Sequence, residues 1–130
     1  MSVKRVFKTK AFHNWAKKVI SDSDLCDAAR EIEQGLFEAD LGGGVCKKRI
    51  ARPGQGKSGS IRTLVAKKHA AAIIFLVGRE KSDAGSDFSI SEEEVAKIVA
   101  KGLHKATTEQ LNDMTAKEIL KEICNDKTKC

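Results

Sequence analysis

Residues 70–77 read Ala-Ala-Ala-Ile-Ile-Phe-Leu-Val, eight apolar residues without a break. The run lacks the two-residue alternation of a half-exposed strand and is far too short to span a bilayer. It is the pattern of a strand buried on both faces, and it predicts the centre of a sheet.

Upstream of the run, Lys67-Lys68-His69 turns the chain, and Ile61–Lys68 alternates as a strand, with Ile61, Thr63 and Val65 on one side and Arg62, Leu64 and Ala66 on the other. Pro53-Gly54-Gln55-Gly56 predicts a turn, since Pro and Gly punctuate extended segments. Val45–Arg52 reads as a strand whose alternation is blurred by charge. Gly42-Gly43-Gly44 is expected to end a preceding helix carrying Leu25, Ala29, Ile32 and Leu36 on one face. Ser21 and Asp24 have capping-box spacing at its start. Before it, Phe12, Trp15, Ala16 and Val19 form the stripe of an amphipathic helix over Lys10–Ile20, with Trp15 read as core. Val3–Phe7 alternates as a first strand.

Downstream, Gly78–Asp87 is loop-like, and a third helix follows with Ser91 and Glu94 at capping-box spacing and Val95, Ile98, Val99 and Leu103 as its apolar face. Leu111 and Met114 suit a short helix; Ile119–Ile123 fits either its extension or a last strand. The expected fold is α+β: an antiparallel sheet in the order β-α-α-β-β-β-α, a helical hairpin on one face and a C-terminal helical tail. The expected organisation is one domain over 1–130, with 105–130 as its C-terminal extension.

Charge is segregated along the chain. Between Leu41 and Arg79 stand nine Lys/Arg and no Asp or Glu, leaving 24 − 9 = 15 basic against 18 acidic residues elsewhere. A middle third at +9 within a chain of net +6 creates a field that attracts polyanions, with nucleic acid as the leading partner class. No transmembrane span and no secretory h-region are present, so a cytoplasmic location and no membrane partner are expected. Cys26, Cys46, Cys124 and Cys130 lack the close pairing of a zinc site and are expected as free thiols, some packed inside.

Residues 51–58, Ala-Arg-Pro-Gly-Gln-Gly-Lys-Ser, fit a relaxed phosphate-loop pattern. A true phosphate loop opens a helix after a parallel strand, whereas here strand-like sequence follows. Nucleotide binding is therefore rejected, although the Gly-rich backbone and Lys57 can still hold a phosphate.

The stretch Gly44–Arg62 (GVCKKRIARPGQGKSGSIR), followed by Phe75-Leu-Val-Gly-Arg-Glu-Lys and the Ser-Glu-Glu-Glu helix start, resembles bacterial RelE/HigB-type toxins of toxin–antitoxin modules. The resemblance extends in element order from Phe7 to Leu103. Lys47, Arg49, Lys57, Gly59 and Arg62 fill that pattern's basic strand, turn and strand opening, and Arg79 follows its central strand. The resemblance implies a ribosome-dependent mRNA endoribonuclease that uses no metal or other cofactor. The RNA 2′-hydroxyl attacks the adjacent phosphate, which requires a base, an acid and positive charge on the crowded phosphorane. Arg62 and Arg79 are the candidates for gripping the scissile phosphate, because guanidinium binds phosphate oxygens bidentately. Lys47, Lys57 or Lys81 is expected to move the proton if clustered charge depresses a lysine pKa. Lys48, Arg49, Arg52, Lys67 and Lys68 are expected to bind RNA, including ribosomal RNA.

The chain departs from the family in lacking tyrosine, which many members use at the C-terminus, and His104 is the candidate acid or base in its place. The implied partners are mRNA, the ribosome and a helix-turn-helix antitoxin encoded by the adjacent gene. The alternatives are a nucleic-acid-binding protein that does not cut, and a ParE-like toxin of the same fold that poisons gyrase.

Overall fold

A computed structural model describes residues 4–51, 60–80 and 87–124. The elements are β1 (Arg5–Thr9), α1 (Lys10–Ala16), α2 (Asp22–Glu33), β2 (Ala39–Gly42), β3 (Val45–Ile50), β4 (Ile61–Ala66), β5 (Ala72–Glu80), α3 (Ile90–His104), α4 (Thr108–Ala116) and β6 (Leu120–Ile123). The six strands form one sheet in the order β2-β3-β4-β5-β1-β6.

The apolar run forms the sheet centre from Ala72 onward, while Ala70 and Ala71 precede the strand and are exposed. β5 sits between β4 and β1, and Ala72 to Leu76 are buried. Ile73 and Phe75 face one cluster with Phe12, Leu25, Ala29 and Ile32 of α1 and α2. Ala72, Ile74 and Leu76 face the other, with Ala96, Ala100, Leu103 and Leu111 of α3 and α4. Helices thus cover both faces. The sheet is mixed, not wholly antiparallel, because β1 pairs in parallel with β5. The α1–α2 hairpin carries the chain from β1 to the far edge, and the β2–β5 meander brings it back beside β1 in the same direction.

Local chemistry moves several boundaries. Gly35, with φ +85°, ends α2: its N–H donates to Ile32 O at 2.9 Å and the Leu36 N–H donates to Glu31 O at 2.9 Å, a Schellman cap. Leu36 accordingly leaves the helix and is 54% exposed. Gly42, Gly43 and Gly44, all with positive φ, form the β2–β3 turn instead of ending the helix, and β2 is a strand the sequence reading missed.

The third helix is capped by Ser89 and Glu92, two residues before the predicted pair, and its buried face is Ala96, Ala100 and Leu103. The tail resolves into both alternatives. Thr107 and Gln110 cap α4, and β6 then pairs antiparallel with β1, so the tail is not purely helical. Cys26 and Cys124 are joined by a disulfide, with Cα atoms 5.5 Å apart, which ties α2 to the end of β6 and corrects the expectation of four free thiols. Cys46 is free and buried, and burial pushes its thiol up to about 12. Among the described residues no helix is long and apolar enough to cross a membrane.

Candidate functional site

Three arginines stand abreast on adjacent strands. Arg49 of β3 pairs with Arg62 of β4, which pairs with Arg79 of β5. Alternation places Arg49 and Arg62 on the α3 side of the sheet, in phase with Val45 and Leu64 of that cluster. Arg79 reaches the same side because the β4–β5 register shifts by one residue between Leu64 and Val65, and a one-residue slip changes the face of every side chain beyond it. Lys47, two residues before Arg49, shares this side. With strands about 4.8 Å apart, the row spans about 10 Å. Like charges directly opposite in a ladder destabilise it by several tenths of a kcal/mol per pair, so the row requires counter-charge.

The segment leading into α3 supplies that charge. Lys47 Nζ donates to Asp87 Oδ2 at 2.9 Å and lies 3.3 Å from Glu93 Oε2. Glu92 Oε1 accepts from the Ser89 N–H at 2.7 Å, completing the helix cap, while its Oε2 accepts from Arg79 at 2.9 Å. Arg79 also lies over the Phe88 ring. On the β2 side, Glu38 accepts from the Arg49 N–H at 2.6 Å. Glu38, Lys47, Arg49, Arg62 and Asp87 line an open cavity of about 400 Å³. Sequence reasoning passed over Asp87, Glu92 and Glu38 because it weighed only the cations; the acidic residues at the start of α3 were the available signal.

Ionisation follows from these contacts. The hydrogen bond from Lys47 holds the Asp87 carboxyl below its ordinary value, and the field of Arg62 adds to it. The hydrogen bond to Asp87 holds the Lys47 ammonium above its ordinary value, the opposite of the depression a lysine base would need. The backbone bond from Ser89 keeps Glu92 ionised. The described side of the sheet therefore offers a fixed ammonium, Lys47, beside guanidinium groups and carboxylate acceptors.

Other predicted residues lie elsewhere. Lys48 points to the opposite side, where its Nζ donates to Leu36 O at 2.8 Å and pairs with Glu31 at 2.7 Å; it is buried and fixes α2 to the sheet. Lys67 pairs with Asp40 and covers the Phe37 ring at the far end of β4, next to Lys68.

His104 is also at that far end. Its Nε2 accepts from the Lys68 N–H at 3.2 Å, and its ring fills the space over Gly44 that a Cβ would need. Burial first, then His69 and nearby lysines, lowers its pKa. Gly44 and Arg49 are five residues apart along one extended edge, about 16 Å. His104 is thus a neutral packing residue and does not join the arginine row. Arg52, Lys57, Gly59 and Lys81 lie outside the described residues. Trp15 packs against the α1–α2 cluster, edge-on to Phe12, and closes over Gly78.

No curated protein matches the chain. A family model described as the RelE toxin of the RelE/RelB toxin–antitoxin system matches residues 4–123, which takes in every described element of the sheet and its helices. The chain belongs to the RelE toxin family and is the toxin of a toxin–antitoxin pair.

Proposed function

We propose that the protein is a ribosome-dependent mRNA endoribonuclease whose working surface is the Arg49–Arg62–Arg79 row with Lys47. The observation that carries this reading is the row itself: three guanidinium groups on one side of adjacent strands, whose counter-charge in the free protein comes from exchangeable carboxylates such as Glu92. Arg62 and Arg79 grip the non-bridging oxygens of the scissile phosphate, and their charge stabilises the phosphorane. Arg49 holds a flanking phosphate.

The 2′-hydroxyl of the RNA attacks the adjacent phosphorus, the P–O5′ bond breaks, and the products are a 2′,3′-cyclic phosphate and a 5′-hydroxyl. Lys47, held protonated by Asp87 and Glu93, is placed to protonate the departing 5′-oxygen. Lys57 and Lys81 are the further candidates for proton transfer. Substrate phosphate displaces the carboxylates of Asp87 and Glu92 from the cations they hold in the free protein.

Growth arrest on induction, combined with mapping of mRNA 5′ ends, tests the reading. New 5′-hydroxyl ends within codons that disappear with Arg62→Ala support it. Growth arrest with intact mRNA and broken DNA would instead identify a gyrase poison, and binding without new ends a non-cutting RNA-binding protein.

A further inference from the structure

α3 is apolar on two sides. Ala96, Ala100 and Leu103 bury one side against the sheet. On the outer side, where a helix lying on a sheet is ordinarily polar, Val95 is 58%, Ile98 71% and Val99 42% exposed. Val95, Ile98, Val99 and Gly102 fall at i, i+3, i+4 and i+7, so they form one continuous stripe. Nothing stands within 4 Å of where a Gly102 Cβ would lie, which leaves the backbone open to close approach. A contiguous exposed stripe of this kind marks an interaction surface.

Charge identifies the occupant. Beside the stripe runs an open groove of about 710 Å³ whose lining includes Lys68, Lys97, Ile98, Lys101 and Lys105. Lys97 is engaged by Glu94 at 3.4 Å, whereas Lys68, Lys101 and Lys105 have no carboxylate partner among the described residues. A second copy packed about a two-fold axis, with α3 antiparallel to its equivalent, would compete for the same stripe. RNA would use the lysines and leave the valines and isoleucine wet. A peptide with an apolar face and flanking carboxylates satisfies both.

We infer that the Val95–Ile98–Val99 stripe and the Lys68–Lys101–Lys105 border form the seat of an acidic amphipathic segment of the cognate antitoxin. The inference rests on membership of a toxin–antitoxin family and not on the nuclease reading. A segment running along α3 toward its N-terminus arrives at Ile90, 80% exposed, next to the Ser89 cap and Glu92, which holds Arg79. Docking here therefore brings the antitoxin to the edge of the arginine row.

The test uses the full chain and the purified RelB-type protein of its own operon. Val95→Glu/Ile98→Glu and Lys101→Glu are surface changes, and Lys18→Glu on the α1–α2 connection is the control. The two α3 variants are expected to bind at least tenfold more weakly at unchanged melting temperature, with the control unaltered, and hydrogen exchange over 94–105 is expected to slow in the wild-type complex. Unchanged affinity of both α3 variants, unprotected α3 in the complex, no binding by the RelB-type protein, or a dimer of the free chain dispersed by Ile98→Glu would each overturn the inference. Binding is read without RNA, so loss of nuclease activity in a separate assay leaves this result standing.

Discussion

Arg79 lies directly opposite Arg62, and it does so on the α3 side of the sheet only because the β4–β5 register slips by one residue between Leu64 and Val65. An unbroken ladder would have turned Arg79 toward α1 and left the β4 arginine with a single partner. The irregularity thus aims a side chain, as bulges beside functional sites commonly do.

Gly78, next to Arg79, carries the other half of this arrangement. The Trp15 indole occupies the space a side chain would take there. Gly78→Ala forces Trp15 out of its packing with Phe12, and overpacking of this kind costs about 1–3 kcal/mol. The expected result is a lower melting temperature together with weaker RNA cleavage, because Arg79 shifts with the strand. Gly78→Ala with Trp15→Leu should recover much of the stability, as thermal unfolding of both variants can establish.

The Lys47–Asp87 pair gives a pH signature. Asp87 is depressed from 3.8, so its contribution is present above that value and is lost as pH falls through the folded-state pKa. Lys47 is raised from 10.5, so its contribution is complete below 10.5 and is lost as pH rises beyond the folded-state value. Asp87 is 58% exposed, which limits the pair to about 0.5–1 kcal/mol. Asp87→Asn should therefore lower stability by that amount at pH 7 and by nothing at pH 2. A constant deficit across urea titrations at several pH values would contradict the pairing.

His104 should prove structural. Its folded-state pKa is lowered, so its contribution is present above 6.5 and lost as pH falls below it, with His13 adding to the same slope. His104→Gln is expected to cost about 1–2 kcal/mol through the lost Lys68 contact and to flatten the pH 5–7 stability curve in part. Cleavage should remain within a few-fold of wild type. A hundredfold loss of cleavage in this variant would return His104 to the reaction.

The Cys26–Cys124 disulfide closes a separation of 98 residues and should contribute about 2–4 kcal/mol. Thiol titration of the denatured, unreduced protein is expected to find two of the chain's four thiols blocked. Reductant should lower the melting temperature of the wild type and leave that of Cys26→Ser unchanged. Four reactive thiols before reduction would contradict the bridge.

Much of this was legible in the sequence. The 70–77 run identified the sheet centre because burial on both faces leaves a composition that little else produces. The segregated charge marked nine cations of the middle third, and the resemblance to RelE-type toxins picked Arg49, Arg62 and Arg79 from among them. The register slip that aligns Arg79 was not legible, since a bulge between Leu64 and Val65 leaves no mark in residue type. Gly35 was outweighed by the triple glycine at 42–44, although one left-handed residue suffices to cap a helix. Of the apolar face expected for α3, Leu103 is buried but Val95, Ile98 and Val99 are exposed, because exposed and buried apolar faces have the same period; small Ala96 and Ala100, which allow close packing on the sheet, were the quieter signal. The disulfide and the sequestered Lys48 depend on contacts 98 and 17 residues apart in the chain, beyond the reach of local pattern.

The central claim is that the arginine row holds the phosphate at which RNA is cut, and single-turnover cleavage of mRNA on programmed ribosomes tests it most directly. For Arg62→Ala, assayed as folded protein, the account predicts a loss of at least about a hundredfold in rate. It also predicts that wild-type products carry 2′,3′-cyclic phosphate and 5′-hydroxyl ends, and that a 2′-deoxy residue at the scissile position blocks cleavage. An Arg62→Ala protein that cuts at the wild-type rate, or a wild-type protein that cuts the 2′-deoxy substrate, would contradict the account.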